Sequence, residues 1–470
     1  MRRFHTQALA VGLMLTLAAG LGACRRAGAG AEDPAELEAE KLLVEYLRLD
    51  TSNPPGNETR GAEFFRRIFE AEGIESRLIG EDPARQSIWA RIPSGKQAPA
   101  LLLLHHIDVV PADPAEWSVP PFGGRRANGY FWGRGALDTK SLGIAHLMAM
   151  LDLHRRRAPL ERDLIFLAVA DEEAGGLKGV SRLLELHPEL FERVGWVFNE
   201  GGANETVVDR VRWWGIEIDQ KVPLWVELQA SGEPGHGSVP PADGGATAKL
   251  VRAVGGVLDI PTPSRLTPSV AAQFRSLGRV KPGIQGEILR APEKFFGTEA
   301  MDNLSPGTMA LLQNTVALSV LRAGDLVNVI PSSARAEIDV RLLPGTDPDP
   351  FLDEIRRAVG ANAEVSVILQ GDPSPPSPID TPIFALVSRI FTDEMPGSVA
   401  GPFVSTGSSD SRFLRAHGIP TYGVMPFMVN YYDGAGVHGP DEKIRVRFFS
   451  LGVKLMRKIV REAVALPESS

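Results

Sequence analysis

The sequence predicts an α/β protein built on a mostly parallel sheet and interrupted by a separate α+β insert. Three observations predict it. Continuous apolar runs such as ALLLLHHI and DLIFLAVA alternate with helical patterns, as strands buried on both faces of a parallel sheet require. From about Gln220 the runs become alternating in character, as in PLWVELQAS, and strands and two helices follow one another in α+β order. The Pro-rich stretch GDPSPPSP, 371–378, then returns the chain to α/β character. The expected organisation is a discontinuous domain of residues 34–220 and 371–470, with residues 221–370 inserted.

The elements follow in order. Arg2 and Arg3 precede an apolar stretch, Ala8 to Leu17, and small residues down to Cys24, a pattern read as an export signal over residues 1–24. LGAC, Leu21 to Cys24, resembles the lipobox of bacterial lipoproteins, which implies acylation of Cys24 and anchoring to a membrane facing the periplasm. Arg25 is not the aspartate associated with inner-membrane retention, which points to the outer membrane. Residues 25–33 read as a tether. Leu37, Leu42, Leu43, Tyr46 and Leu47 recur at helical spacing, TSNPPGNE breaks the pattern, and Phe64, Phe65, Ile68 and Phe69 begin a second helix ending near Gly73. The runs SIWARI, ALLLLHHI, DLIFLAVA and GWVFN are strands, separated in part by helices at Ser141–Leu153 and Gly179–Leu186. In the insert, PLWVELQAS is a strand and Ala246–Val257 a helix, and a Pro- and Gly-containing stretch without assigned structure runs to about Gly307. TVALSVLRAG, ARAEIDVRLLPG and Glu364–Leu369 are strands, Pro350–Val359 is a helix, and a helix from about Val446 to Val464 closes the chain.

Composition excludes some functions. A net charge of -8 supplies no basic footprint for phosphates, which argues against nucleic acid as a partner. Cys24 is the only cysteine, so no internal disulfide can form.

Five stretches carry residues fit for chemistry. In HHID, His106 and Asp108 share one side of a strand and His105 takes the other, because strand side chains alternate. At the C-terminal end of a buried strand, His106 is a candidate metal ligand and Asp108 a candidate acceptor for its other ring N–H. A plain strand end meeting solvent is the competing reading. In GRGALDTK, Asp138 opens an apolar helix as either a cap or a ligand, and the third glycine of a dinucleotide fingerprint is absent. ADEEAGG crowds Asp171, Glu172 and Glu173 at a strand end; a helix N-terminus explains one or two acids there, and a nearby cation would relieve the crowding. FNEGG supplies Glu200 at another strand end, and GVHGPDEKI supplies His438 in a glycine-rich loop. Strand ends of one parallel sheet converge. Two histidines and three carboxylates suit zinc or a harder divalent metal.

In this order HID, GRGALDTK, DEEAGG, NEGG and HGPDE resemble the two-zinc metallopeptidase family of aminoacylase, acetylornithine deacetylase, succinyl-diaminopimelate desuccinylase and carboxypeptidase S. The likeness covers nearly all of the mature chain. GRGALDTK, NEGG and the long insert are most similar to the carboxypeptidase S and fatty-acyl amino-acid hydrolase branch. The resemblance implies a zinc-hydrolase catalytic domain with an inserted lid or dimerisation domain. It implies two Zn ions, with Co or Mn as substitutes: one on His106, Asp138 and Glu200, the other on Asp138, Glu173 and His438. It implies Glu172 as general base for a metal-activated water, and Asp108 as the orienter of His106. GEPGHGSVP resembles the motif whose histidine, here His236, stabilises an oxyanion and reaches the partner's site in dimeric members, which brings a homodimer through the insert into view. Asn328 and Arg341 correspond to substrate-holding residues, Gly407 in TGSSDSRF to a substrate-pocket glycine, and Asp410 and Arg412 to its support.

The implied substrate is a small molecule, an N-acyl amino acid or short peptide with a free carboxylate, and the implied membrane contact is through the lipid anchor alone. Alternatives are a dizinc aminopeptidase or deacetylase of the same fold, a non-catalytic ligand-binding lipoprotein, and a serine hydrolase using Ser238. The last lacks a G-x-S-x-G elbow around the serine. His146, His154, His187 and His417 carry no motif and read as structural or surface residues.

Overall fold

The computed structural model describes residues 33–467 except residue 435. The expected signal 1–24 and its Cys24 lie outside the described residues. Among the described residues no helix is long and apolar enough to cross a membrane.

Nine strands form the main sheet. Its order is Glu75–Ile79, Ser87–Ile92, Arg162–Val169, Ala98–His106, Val194–Asn199, Thr421–Gly423, Arg210–Gln220 and Val399–Ser405, with Ala203–Val207 paired to Arg210–Gln220. The four central strands from Arg162–Val169 to Thr421–Gly423 run parallel. The antiparallel pairs lie towards the margins.

Alternation sorts the strand side chains between two cores. Leu101, Leu103, Leu164 and Phe166 join helices Pro34–Leu47, Thr59–Glu72, Lys140–Arg155, Pro382–Glu394 and Val446–Val464 on one face. Leu102, Leu104, Ile165 and Leu167 meet Leu183, Phe191 and Leu414 on the other. His105 follows the first set: its ring packs against Phe65, Phe166 and Tyr46. His106 follows the second, towards the loops.

The insert is a four-stranded antiparallel sheet in the order Thr315–Arg322, Ser333–Leu342, Val222–Ser231 and Glu364–Gln370. Helices Gly245–Leu258 and Pro348–Val359 cover one face of it, burying Leu250, Val257, Phe351 and Ile355 against Leu224, Val226 and Ile338. The chain crosses between the sheets at two neighbouring points. Lys221, fully buried, donates from Nζ to the carbonyls of Ala310 and Gln313 and to Thr315 Oγ1. On the return, Gly371 N donates to Pro223 O at 2.8 Å.

Residues 268–312 belong to the insert in sequence but pack on the main sheet. The Pro- and Gly-containing stretch holds helices Pro268–Leu277 and Gly283–Arg290. Thr267 caps the first by accepting from Val270 N, with Pro268 at the first turn, where a missing N–H costs nothing. Val270, Phe274, Leu289 and Leu312 bury against Val404 of the edge strand. Trp213 Nε1 donates to Ser276 Oγ at 2.9 Å, and Val404 N donates to Gln273 Oε1 at 2.8 Å.

Candidate metal centre and active site

Three parallel strands deliver side chains to one place. His106 ends Ala98–His106, Glu172 and Glu173 follow Arg162–Val169, and Glu200 follows Val194–Asn199. Loops bring Asp138 and His438 to the same point. Asp138 does not cap its helix: Lys140–Arg155 starts after Thr139, without a side-chain cap. Its carboxylate lies between the two histidines instead. Oδ1 is 3.1 Å from His106 Nε2, and Oδ2 is 3.2 Å from His438 Nε2. Glu200 Oε2 lies 3.7 Å from His106 Nε2, and Glu173 Oε2 lies 3.3 Å from His438 Nε2. Two triads result, His106–Asp138–Glu200 and Asp138–Glu173–His438, each with ligand atoms within 4.8 Å of one another and Asp138 common to both.

His106 is oriented differently from the sequence reading. Its Nδ1 pairs with the main-chain carbonyl of Asp108 at 2.9 Å, while the Asp108 carboxylate lies 3.7 Å away. That carboxylate is engaged elsewhere. It accepts from Glu172 N at 3.1 Å, Glu173 N at 3.0 Å and Asn53 Nδ2 at 2.9 Å. The local reason is reach: the strand ends at His106, and the turn that follows aims the carbonyl back at the ring. Asp108 therefore sets the His106 tautomer through its backbone and holds the two-glutamate turn through its side chain.

A buried network supports that turn. Arg85 bridges Glu58 and Asp171, each at 2.7 Å, and Asp171 also accepts Lys178 N at 2.8 Å. Asp171 adopts a left-handed φ of 74°, and Gly175 and Gly176 follow at 104° and 70°. A Cβ on Gly176 would meet Asp410 Oδ1 at 2.3 Å, so glycine is required for the loop to lie against TGSSDS. Glu442 fixes the other loop. Fully buried, it accepts from Arg134 Nη1 and from the main-chain N–H groups of Gly135, Leu137 and Asp138, at 2.8–3.1 Å. Sequence reasoning missed Glu442, Asn53 and Arg85. The signal for Glu442 was its place in HGPDE beside His438.

The centre is strongly anionic. Hydrogen bonds to Asp138 and Glu173 push the His438 pKa up to about 10. Burial alone would lower that of His106, but Glu200 and Asp138 together hold it well above the ordinary range. Burial, reinforced by Glu200, raises the Glu172 carboxyl well above its usual range. Burial pushes Asp108 up to about 7. Glu173 Oε1 is buried without a hydrogen-bond partner. A surplus of negative charge, an orphaned carboxylate oxygen and two imidazoles aimed at shared carboxylates together fit divalent cations.

The insert's residues stand apart. His236 is exposed on the two-stranded ribbon with Val329–Ile330, where its Nδ1 lies 2.7 Å from Ser238 Oγ. Asn328 is exposed next to it, accepting Gly237 N at its carbonyl. Arg341 is half-buried: it makes a double contact with Asp339 and donates to Ser408 Oγ at 3.3 Å. Arg412 also reaches Ser408 Oγ and donates to Gly175 O. Gly407 sits in the same loop, where a Cβ would make ordinary contact with Ser405 Oγ at 3.5 Å.

A site of this kind, assembled at strand ends from shared carboxylates and imidazoles, is that of a metal-dependent hydrolase. The chain belongs to the peptidase family M20/M25/M40, whose sequence profile matches residues 102–462. It is 29% identical over 443 residues to the N-fatty-acyl-amino acid synthase/hydrolase PM20D1 of Xenopus tropicalis, covering 91% of this chain and 85% of that one. It is 25% identical to Aminoacylase-1 of Sus scrofa, over 91% and 95% of the two chains. The fold is that of the M20 family metallo-carboxypeptidase Sso-CP2 from Sulfolobus solfataricus, with a TM-score of 0.73, 19% identity, and 91% and 100% of the chains covered. The protein is a metallo-amidohydrolase of that family.

Proposed function

We propose that the protein hydrolyses the amide bond of N-acyl amino acids, or of short peptides with a free carboxylate, using two zinc ions for which Co or Mn can substitute. One observation carries this reading: the two oxygens of Asp138 each face a different histidine, at 3.1 and 3.2 Å. His106 and Glu200 would hold one ion, Glu173 and His438 the other, and Asp138 both. When bound, such a pair supplies Lewis acidity towards a carbonyl oxygen and acidifies water.

The rest is the work of the chain. Glu172, half-buried and next in sequence to Glu173, takes the proton of the attacking water and delivers it to the leaving nitrogen. Asp108 keeps Glu172 in place through its backbone N–H. Arg341, held by Asp339 through Nε and Nη2, donates from Nη1 to the substrate carboxylate. His236 and Asn328, exposed side by side, meet the site of a second copy in a homodimer through the insert, where His236 stabilises the oxyanion. The names of the two relatives, one acting on fatty-acyl amino acids and one an aminoacylase, support the acyl amino acid as substrate. Export and lipid anchoring at Cys24, facing the periplasm, complete the reading.

The test is Glu172→Ala. Hydrolysis of an N-acyl amino acid falls by about 10²–10⁴-fold while bound metal stays at the wild-type level. Retained activity would remove Glu172 as the base.

A further inference from the structure

The face of the insert's sheet opposite its two helices carries a row of side chains across three strands. Residues directly opposite each other in a ladder share a face, so Asp339, Trp225 and Leu369 stand side by side. Arg341, two residues beyond Asp339, is on the same face. This face meets the loops of the main sheet. Arg341 Nη1 donates to Ser408 Oγ at 3.3 Å, and a Cβ on Gly175 of the two-glutamate turn would meet Leu369 Cδ1 at 2.9 Å.

Arg341 is held in two ways. Asp339 accepts from its Nε at 2.7 Å and from its Nη2 at 3.1 Å. The Trp225 ring lies against the guanidinium, its centroid 5.4 Å from Cζ. The two constraints differ in kind. A two-point pair with a carboxylate fixes the guanidinium within its own plane but lets it swing out of that plane about the line of contact. A ring face blocks the swing and attracts the cation through its quadrupole. Nη1 is left as the nitrogen without a charged partner. The indole N–H of Trp225 is buried and makes no hydrogen bond, so the ring serves through its face and not as a donor.

We propose that Trp225 is a positioning residue. Its face locks Arg341 so that Nη1 meets the substrate carboxylate, and it thereby sets the preference for substrates that carry a free carboxylate. The proposal rests on the hydrolase reading above. An unlocked arginine must be ordered each time a substrate binds, and that cost lowers affinity. A substrate without the carboxylate does not draw on the arginine, so the defect depends on the substrate.

The test uses the metal-loaded full-length protein, an N-acyl amino acid and the matching carboxamide. Trp225→Leu is expected to raise KM for the acid roughly five- to thirtyfold at constant kcat. The acid-to-carboxamide ratio of kcat/KM falls by the same factor. Trp225→Phe keeps a ring face and recovers most of that ratio. An equal loss on acid and carboxamide overturns the proposal, because packing alone would produce it. A phenylalanine variant no better than the leucine one overturns it as well. Fluorinated tryptophans placed at position 225 keep the shape of the ring and weaken its face. KM for the acid then rises with each added fluorine, and a constant KM overturns the proposal even if the leucine variant does not fold. A wild type that cleaves acid and carboxamide equally well overturns the proposal and leaves the hydrolase activity standing. A wild type that cleaves neither overturns the hydrolase reading, and the proposal with it.

Discussion

Asp138 concentrates the chemistry of the centre in one side chain. An Asn there keeps the shape but removes the charge and one acceptor oxygen. Asp138→Asn is expected to reduce bound metal to below one ion per chain, measured by elemental analysis after gel filtration; two ions retained would refute the shared-ligand assignment. His146 offers a test of a different kind. Both of its ring nitrogens are buried without a hydrogen-bond partner, and burial pushes its pKa down to about 3 from an ordinary 6.5. The unfolded chain takes up a proton near 6.5 and the folded chain only near 3. Stability is therefore intact above pH 6.5 and declines as pH falls towards 3, by about 1.4 kcal/mol per pH unit. His146→Leu removes this contribution, so between pH 7 and pH 5 the wild type loses about 2 kcal/mol more than the variant in urea unfolding. Equal losses would show that the ring is charged in the fold.

At the same scale, the residues that the fold gathers into the two triads were legible in the sequence because each follows a recognisable buried run or lies in a motif. The atom that orients His106 was not. A main-chain carbonyl has no residue signature, and the Asp108 carboxylate looked like the obvious acceptor until the two-glutamate turn claimed it.

Among the elements, the GRGALD loop depends on a residue far from it in sequence. Glu442 gathers three main-chain N–H groups and Arg134 with no solvent to share the load. Glu442→Ala leaves Arg134 buried and unpaired, a loss of about 3–5 kcal/mol, and releases the backbone of Asp138. Metal affinity is expected to fall about 10–100-fold, read by competition with a fluorescent chelator. Wild-type affinity in a folded variant would mean that the loop holds itself. Arg210–Gln220, Pro382–Glu394 and Val399–Ser405 went unassigned in the sequence, whereas strands Ala98–His106 and Arg162–Val169 and the helix Val446–Val464 were readable from periodicity. Pro268–Leu277 was not, because the prolines and glycines on either side of it read as a loop, and its apolar face is matched by an edge strand more than a hundred residues later.

Across the whole molecule, the alternation of two sheet types announced the insert, but it could not show that residues 268–312 leave the insert's own sheet and bury against Val404 of the main one. The anchor is testable at this scale. Cys24→Ser is expected to abolish incorporation of labelled fatty acid and to move the protein from the membrane pellet to the soluble fraction of a bacterial expression host. Labelling that persists would exclude Cys24 as the acylated residue. The two crossings of the chain are hydrogen-bonded neighbours at Pro223 and Gly371, so the insert leaves and re-enters the main sheet's part of the chain at one place. The strands Arg210–Gln220 and Val399–Ser405 are parallel partners, and the helix Pro382–Glu394 lies between them in the chain. Without residues 222–370 they form an ordinary strand–helix–strand crossover. All five residues of the two triads lie outside residues 222–370, so the part of the chain that gathers them closes on itself without the insert, and the insert adds His236 and Arg341 from outside it.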